Sequence, residues 1–391
     1  MTTKFRITAL CAALAAAAAL ATPASAGSVK IGGMVDTGLK FSSVDAGGSQ
    51  GSQQKLEMAD GMLDANRIIF IGEEDLSERT KLGFWLEASY ASDSGAMKTS
   101  GSLFDRGSYI FLNNQDYGQL AAGRIGLMRS GGTPLTFDIT GRRVSPFGTG
   151  WGDLASPMYS MPFYGFPVSN MLQYDSPMIH GVQAHVQYSF QIDTSTGTEG
   201  KSSADRYGAF ALTYDGGDLN LVGMVDWMNE ATGTANPDPH DSWTFMLGGN
   251  YDFGVAKLYA TATYFKDANN VWWLPGFDDT NYNLFNGCDQ INGYSVTLGT
   301  KIPAWGGAIN LSAMYLDADY DDEVTAETAA QIGTDLKRYT FVAGYEYPLS
   351  KQTTLYGAAG FFKDKVNYVS AGNTYDDPFV TQVIIGIHHN F

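Results

Sequence analysis

Cysteine is almost absent from this chain, and no apolar run is long enough to cross a membrane as a helix. Cys11 and Cys288 are the two cysteines among 391 residues. Cys11 lies in an N-terminal segment that we expect to be removed, so no internal disulfide can stabilise the rest. The main apolar run, residues 7 to 21, falls short of the roughly 20 residues that a membrane-spanning helix needs.

The N-terminus reads as an export signal that is cleaved. Lys4 and Arg6 precede the apolar run, and Ala24-Ser25-Ala26 precedes Gly27. A positive start, a short apolar core and an A-x-A site are typical of a secretory signal peptide. We therefore expect residues 1 to 26 to be removed, leaving residues 27 to 391 as one exported domain.

Basic residues are scarce as well. The whole chain has 24 Lys and Arg against 41 Asp and Glu, and removing Lys4 and Arg6 leaves 22 basic residues and a net charge of −19. A phosphate backbone requires a basic surface. Nucleic acid is therefore excluded as an expected partner.

Short segments with alternating hydrophobicity make up most of the mature chain, which favours an all-β fold. Seven short connections containing Gly, Pro, Asp or Asn alternate with eight long polar ones, beginning with residues 43 to 65. Sixteen strands joined in this way place the short turns on one rim and the long loops on the other, as in a transmembrane β-barrel. The alternative is a secreted soluble all-β protein. The expected strands are 28–42, 66–74, 80–91, 104–113, 118–126, 169–176, 181–192, 206–215, 218–229, 242–252, 255–267, 292–303, 307–319, 336–347, 353–364 and 380–391.

The first and last strands have two unlike faces. In the last strand Val383, Ile385 and Ile387 alternate with polar residues, and in the first strand Asp36 lies opposite an apolar face. Charge on the lipid face costs a few kcal/mol, so Asp36 is expected to face the lumen. The chain stops on Phe391, which resembles the ending of bacterial outer-membrane barrels, where the last aromatic belongs to the assembly signal.

Five segments resemble the Gram-negative general porins in the right order. They are Asn66-Arg-Ile-Ile-Phe-Ile-Gly-Glu-Glu-Asp-Leu76, residues 106–124 with Arg106-Gly-Ser-Tyr and Gly123-Arg124, Asn170-Met-Leu-Gln-Tyr-Asp-Ser-Pro177, Tyr345–Tyr356, and Gly386–Phe391. The resemblance implies a homotrimer of sixteen-stranded antiparallel barrels in the bacterial outer membrane. It also implies short periplasmic turns, long extracellular loops, and contacts with lipid, lipopolysaccharide and the barrel assembly machinery.

The same resemblance implies a water-filled channel narrowed by an inward-folded third loop, here residues 127 to 168. In the family, arginines on the wall face acids on that loop. Arg67, Arg106 and Arg124 match the wall positions and are expected to face the lumen. The loop departs from the acidic family pattern, because Asp138 and Asp153 are accompanied by Arg142 and Arg143. Charge selectivity is left open.

The function expected from this resemblance is passive diffusion of ions and small hydrophilic solutes. Trp151, Tyr159, Phe163, Tyr164 and Phe166 in the third loop leave a second interpretation open, a channel that prefers a sugar or organic acid. They could equally pack the loop onto the wall. A surface adhesin or structural barrel is a third possibility. No catalytic or nucleotide-binding motif is found, so we expect no enzyme, no cofactor and no metal site.

Overall fold

The computed structural model describes residues 28–48, 51–155, 167–192, 198–201, 203–229, 241–268, 291–320, 335–370 and 373–391, and its description of side chains omits 153, 320 and 367–375. The expected signal peptide, residues 1 to 26, lies outside the described residues. Within them, no helix is long and apolar enough to cross a membrane.

The described chain is built almost entirely from antiparallel strands. They are β1 (Ser28–Asp45), β2 (Ser52–Asp60), β3 (Arg67–Ser77), β4 (Thr80–Ser89), β5 (Gly107–Asn114), β6 (Gly118–Ile125), β7 (Val168–Asp175), β8 (Val182–Ser189), β9 (Arg206–Asp215), β10 (Leu219–Asn229), β11 (Ser242–Asp252), β12 (Lys257–Ala268), β13 (Ile291–Ala304), β14 (Gly307–Tyr320), β15 (Asp335–Pro348), β16 (Thr353–Lys365), β17 (Asn367–Ser370), β18 (Asn373–Asp376) and β19 (Phe379–Asn390).

The sheet closes into a barrel because its first and last strands pair. β1 is antiparallel to β19 from Met34 opposite Asn390 to Asp45 opposite Phe379, and β19 also pairs with β16. Sixteen positions go round the barrel, since β2 and β3 share one of them and β17–β18 form a separate hairpin. The predicted sixteen-stranded antiparallel barrel is confirmed.

Alternation along each strand separates an outer apolar face from an inner face. In β19, Val383, Ile385 and Ile387 are exposed, whereas Gln382 and His388 are buried. The exposed residues belong to the face that contacts lipid in such a barrel. The two faces of the last strand are those that its sequence predicted.

The second barrel position differs from the sequence prediction, which placed a loop over residues 43 to 65. β2 pairs with the part of β1 that begins at Thr37, which lies opposite Asp60. β3 pairs with the preceding part of β1, which ends at Met34 opposite Arg67. The two strands therefore run in the same direction along β1. Residues 61 to 66 leave the sheet between them, and we call this excursion the inward turn.

Between β6 and β7 the chain leaves the wall and contacts strands on the far side of the barrel. We call the described part of this segment, residues 127 to 155, the inner loop. It contains the short helical turns Pro134–Thr136, Phe137–Gly141, Arg142–Val144 and Gly152–Ala155. Arg129 reaches β11, where its Nη1 donates to Thr244 Oγ1 over 2.7 Å. On β12, Thr261 Oγ1 donates to the Val144 carbonyl over 3.0 Å.

Candidate pore constriction

The inward turn is held to the wall by one carboxylate. Asp36 is fully buried, and its side-chain oxygens accept hydrogen bonds from the backbone amides of Met62, Leu63 and Asp64 over 3.2, 3.0 and 3.2 Å. The hydroxyl of Tyr356 on β16 donates to the same group over 2.5 Å. Asp36 lies on the inner face, where it anchors the backbone of the inward turn and is not open to water.

The wall beside the inward turn carries a cluster of charge centred on Glu87. Arg67 Nη1 and Arg106 Nε donate to Glu87 Oε1 over 3.1 and 2.8 Å, and Trp85 Nε1 donates to Oε2 over 2.8 Å. Arg67 also pairs with Asp64 of the inward turn. We call Arg67, Glu87 and Arg106 the charged wall.

Arg106 connects this wall to the inner loop. Its Nη2 donates to the carbonyl of Gly132 over 2.9 Å, so two of the three arginines expected to face the lumen, Arg67 and Arg106, lie beside the loop. Glu87, which joins them, has the polar, lumen-facing position that the strand pattern predicts, but it was not among the expected constriction residues. The alternation of β4 places it there, because Glu87 shares a face with Trp85 and Lys81.

Arg124 lies on the other face, which corrects the expectation for this residue. The β5–β6 register puts it opposite Ser108, on the face where Ile110 and Leu120 occur. Both of these side chains are largely exposed, so this is the outer face. Arg124 Nε donates to the carbonyl of Asp105 and Nη1 to Ser169 Oγ, over 2.8 and 3.0 Å. The family motif matched this arginine by position but did not show which face of the barrel wall carries its side chain.

The inner loop carries its own charge cluster. Arg142 Nε pairs with Asp138 Oδ1 over 3.1 Å, and Nη2 pairs with Asp215 Oδ1 over 2.9 Å. Arg143 reaches the same Asp215 oxygen over 2.7 Å. Burial, and then the charge of Arg142, lower the pKa of the Arg143 guanidinium, while Asp215 acts in the opposite direction. The structure brings Asp138, Arg142 and Arg143 together in one cluster with Asp215.

Three charged residues of the site, Arg129, Asp215 and Asp226, were missed because their partners are distant in sequence. Arg129 Nε lies 3.1 Å from Asp226 Oδ2 of β10, and both side chains are buried. Asp215 lies at the end of β9, in a region that the sequence marked as a turn. No local spacing connects either acid to the loop.

The aromatic residues of the loop are described in part. Trp151 is 5% exposed and packs edge-on against Phe147 and Tyr356, with ring centroids 5.3 and 5.7 Å apart. It packs the loop onto the wall, one of the two interpretations left open. Tyr159, Phe163, Tyr164 and Phe166 lie outside the described residues, as does the side chain of Asp153.

A cavity of about 510 Å³ separates the inward turn from the inner loop. Leu63, Asp64 and Arg67 form one side, and Pro134, Phe137, Asp138 and the stretch from Pro146 to Trp151 form the other. The two segments touch at one end, where the amide of Gly152 donates to the Met62 carbonyl over 2.7 Å. The arrangement is an opening bordered by loop and wall.

The C-terminal residue completes the seam of the barrel. Phe391 exchanges backbone hydrogen bonds with Gly33, over 3.0 and 3.1 Å, and its ring lies where a side chain at Gly33 would be, because a Cβ there would come within 2.7 Å of Phe391 Cζ. Glycine is thus required beside the terminal ring.

Comparison with known proteins identifies the family from the sequence. The family model described as Gram-negative porin matches residues 11–367. An outer membrane porin protein of Bordetella pertussis is 29% identical, with 98% of this chain and 99% of the relative covered. Outer membrane porin protein 32 of Delftia acidovorans is 28% identical, with 97% and 98% covered.

Solved structures share the fold. The anion-selective porin from Comamonas acidovorans has a TM-score of 0.68 at 24% identity and covers 93% of this chain and 100% of its own. OmpF of Salmonella typhi has a TM-score of 0.61 at 12% identity, with 93% and 97% covered. At these identities the likeness concerns the fold alone.

Proposed function

This chain belongs to the Gram-negative porin family, and from that premise we propose that residues 127 to 168 form the constriction loop of its pore. As a porin it lies in the bacterial outer membrane and is a channel for passive diffusion of ions and small hydrophilic solutes. The family, the channel function and the location predicted from the sequence are confirmed.

The contact between the inner loop and the far strands is the observation that carries the proposal. A loop that starts at β6 and reaches Thr244 and Thr261 has to cross the lumen. A barrel of sixteen strands leaves an aqueous channel, so a segment that crosses it narrows the passage. We propose that the cavity between the inward turn and the loop is part of the passage that remains.

The charges at this opening favour a weak preference for cations. Asp64, Arg67 and Asp138 line the cavity. Including their neighbours, four arginines are paired with four acids, namely Arg67, Arg106, Arg142 and Arg143 with Asp64, Glu87, Asp138 and Asp215. The side chains of Asp138 and Asp64 are 78% and 45% exposed, whereas those of Arg67 and Arg143 are 8% and 1% exposed. A permeating ion therefore meets carboxylates more directly than guanidinium groups.

The assembly expected from the sequence is part of the proposal. We infer a homotrimer in contact with lipid and lipopolysaccharide, assembled through the C-terminal strand and Phe391. We expect a trimer that resists unfolding on unheated gels. This trimer should be lost in a Phe391→Ala variant that is exported at the same level. We also propose that the chain conducts and does not catalyse, since the relatives it resembles are porins.

Adding bulk to the opening tests the constriction. Thr149 lines the cavity, so Thr149→Trp should lower the single-channel conductance in planar bilayers. Ser94→Trp adds the same bulk to an exposed loop and should leave the conductance unchanged. Equal conductance in both variants and the unaltered protein would contradict a constriction at the inner loop.

A further inference from the structure

A second cavity, of about 360 Å³, is lined by β1, by β3 to β6 and by the inner loop, and we propose that it binds a sugar ring during permeation. This inference rests on the proposed function, because it adds a solute-binding site to the pore. Pro134 lines this cavity as well as the one at the constriction. Both spaces therefore border the inner loop at this residue.

The wall of this cavity is a row of aromatic rings. Trp85 and Tyr109 lie on neighbouring strands with their rings nearly parallel, 6° apart, at 6.5 Å, and Phe111 follows with its centroid 6.4 Å from that of Tyr109. All three line the cavity. The Trp85 ring is held by its hydrogen bond to Glu87, so the row is fixed before any solute arrives.

A glycine allows the last ring to lie against the wall. Gly83 is opposite Phe111 in the β4–β5 register, and a Cβ at Gly83 would come within 2.3 Å of Phe111 Cζ. The ring therefore covers the backbone of β4 and lies along the inner surface. This placement gives the cavity an apolar face on the inner side of the barrel.

Four polar side chains border the aromatic row, towards the end of the barrel where the short turns lie. Lys30 and Glu73 lie on β1 and β3, two residue pairs apart in register, and Asn113 lies opposite Gln119 beside the β5–β6 turn. All four line the cavity. The amide of Asn113 donates to Gln119 over 3.4 Å, a long bond that a solute hydroxyl could replace.

This combination fits a neutral cyclic polyol better than an anion. Apolar faces of aromatic rings stack on flat apolar faces of a solute, while amides and a carboxylate can bond the hydroxyls at its edge. One lysine and one glutamate leave the lining without net charge, which does not select a dicarboxylate. The volume falls within the range of small-molecule sites.

Sugar block of single channels tests the site. Glucose and maltose, added in turn on the side of the short turns, should reduce or interrupt the ion current in a saturable way. Removing one ring of the row in Phe111→Ala should weaken the block by about two- to tenfold, the value expected for one aromatic contact. Asn113→Leu, at an exposed position, should weaken it without removing a ring. Phe361→Ala on the outer face, also largely exposed, should leave it unchanged.

The outcomes distinguish a failure of the sugar site from a failure of the proposed pore. Normal conductance with no block by either sugar would overturn the sugar site while the channel stands. Block by benzoate but by neither sugar would overturn the assigned solute class. The sugar would have to bind elsewhere if the block were equally strong in three variants, Phe111→Ala, Asn113→Leu and Phe361→Ala. That result would overturn the assigned site. Loss of all conductance in the unaltered protein would overturn the pore and the site together.

Discussion

The inner surface of this barrel has two unlike sides. On β3 to β5 it carries Arg67, Glu87 and Arg106, the charged wall beside the opening. On β12, β14, β15, β16 and β19 it carries an apolar wall, which we define as Phe265, Leu316, Leu336, Phe362 and Val380, each at most 1% exposed. Both sides belong to the face that the strand alternation directs inwards.

The difference shows that an inward-facing residue is not necessarily a pore residue. The apolar wall belongs to a buried cluster that also includes Trp151 and Leu154 of the inner loop, so packing there is a matter of stability. Beside the charged wall, the partly exposed Asp64 of the inward turn borders a cavity. The aqueous path is therefore expected along the charged wall, away from the centre of the barrel.

The largest effect is expected from an ion pair within the apolar side. Arg338 donates to Asp364 through Nε and Nη2 over 2.7 and 2.8 Å, its guanidinium lies 4.8 Å from the Phe362 ring centroid, and both charged side chains are buried. Arg338→Ala leaves a buried carboxylate and should cost about 3–5 kcal/mol. Thermal unfolding of the purified protein measures this.

A paired replacement is the control for that prediction. Arg338→Met combined with Asp364→Leu removes both charges and should recover most of the lost stability. If the single and the paired variants unfold at the same temperature, the comparison between a packed side and a conducting side is wrong. Single-channel conductance should change little in either variant.

Asp36→Asn should have the next largest effect, because it weakens the anchor of the inward turn. Hydrogen bonds to a charged group contribute about 1.5–3 kcal/mol each, and an amide offers one neutral acceptor in place of two charged oxygens. Residues 61 to 66 should then become mobile. We expect this mobility to make the open-channel current noisier, and the lost hydrogen bonds to lower the unfolding temperature. Quiet current at unchanged conductance would show that the inward turn is held by other contacts.

A smaller effect is expected at the opening. Asp138→Asn removes the most exposed carboxylate of the inner loop cluster and should shift selectivity toward anions. A unit charge about 4 Å from an ion changes its energy by about 1 kcal/mol in water, so the permeability ratio should change by at most about fivefold. The reversal potential in a salt gradient measures the shift, and Asp218→Asn in the β9–β10 turn is the matched control.

The smallest effect is expected at Arg124, on the outer face. Arg124→Ala should leave the reversal potential as it is, whereas Arg106→Ala on the charged wall should move it toward cation selectivity. The two arginines come from the same family motif, so the pair isolates the effect of the face. An equal shift in both variants would mean that Arg124 acts on the pore.

The fold was largely predictable, because strand alternation and turn residues are local signals. All sixteen predicted strands overlap a strand of the barrel, and the faces of the first and last strands are as expected. The inward turn was not predictable, since residues 61 to 66 look like any polar loop and it is the distant Asp36 that holds them. The acids that pair with Arg129, Arg143 and Arg338 lie on strands distant from them in sequence, at positions that only the fold defines.

The reactivity of introduced cysteines tests the two-sided lumen most directly. In a background with Cys288→Ser, Asp138→Cys should react with an anionic methanethiosulfonate reagent and change the ion current within one recording. Ala318→Cys, on the inner face of β14 and 0% exposed, should remain unmodified under the same conditions. Modification of the Ala318 variant at the same rate, or unchanged current after modification at position 138, would contradict the account.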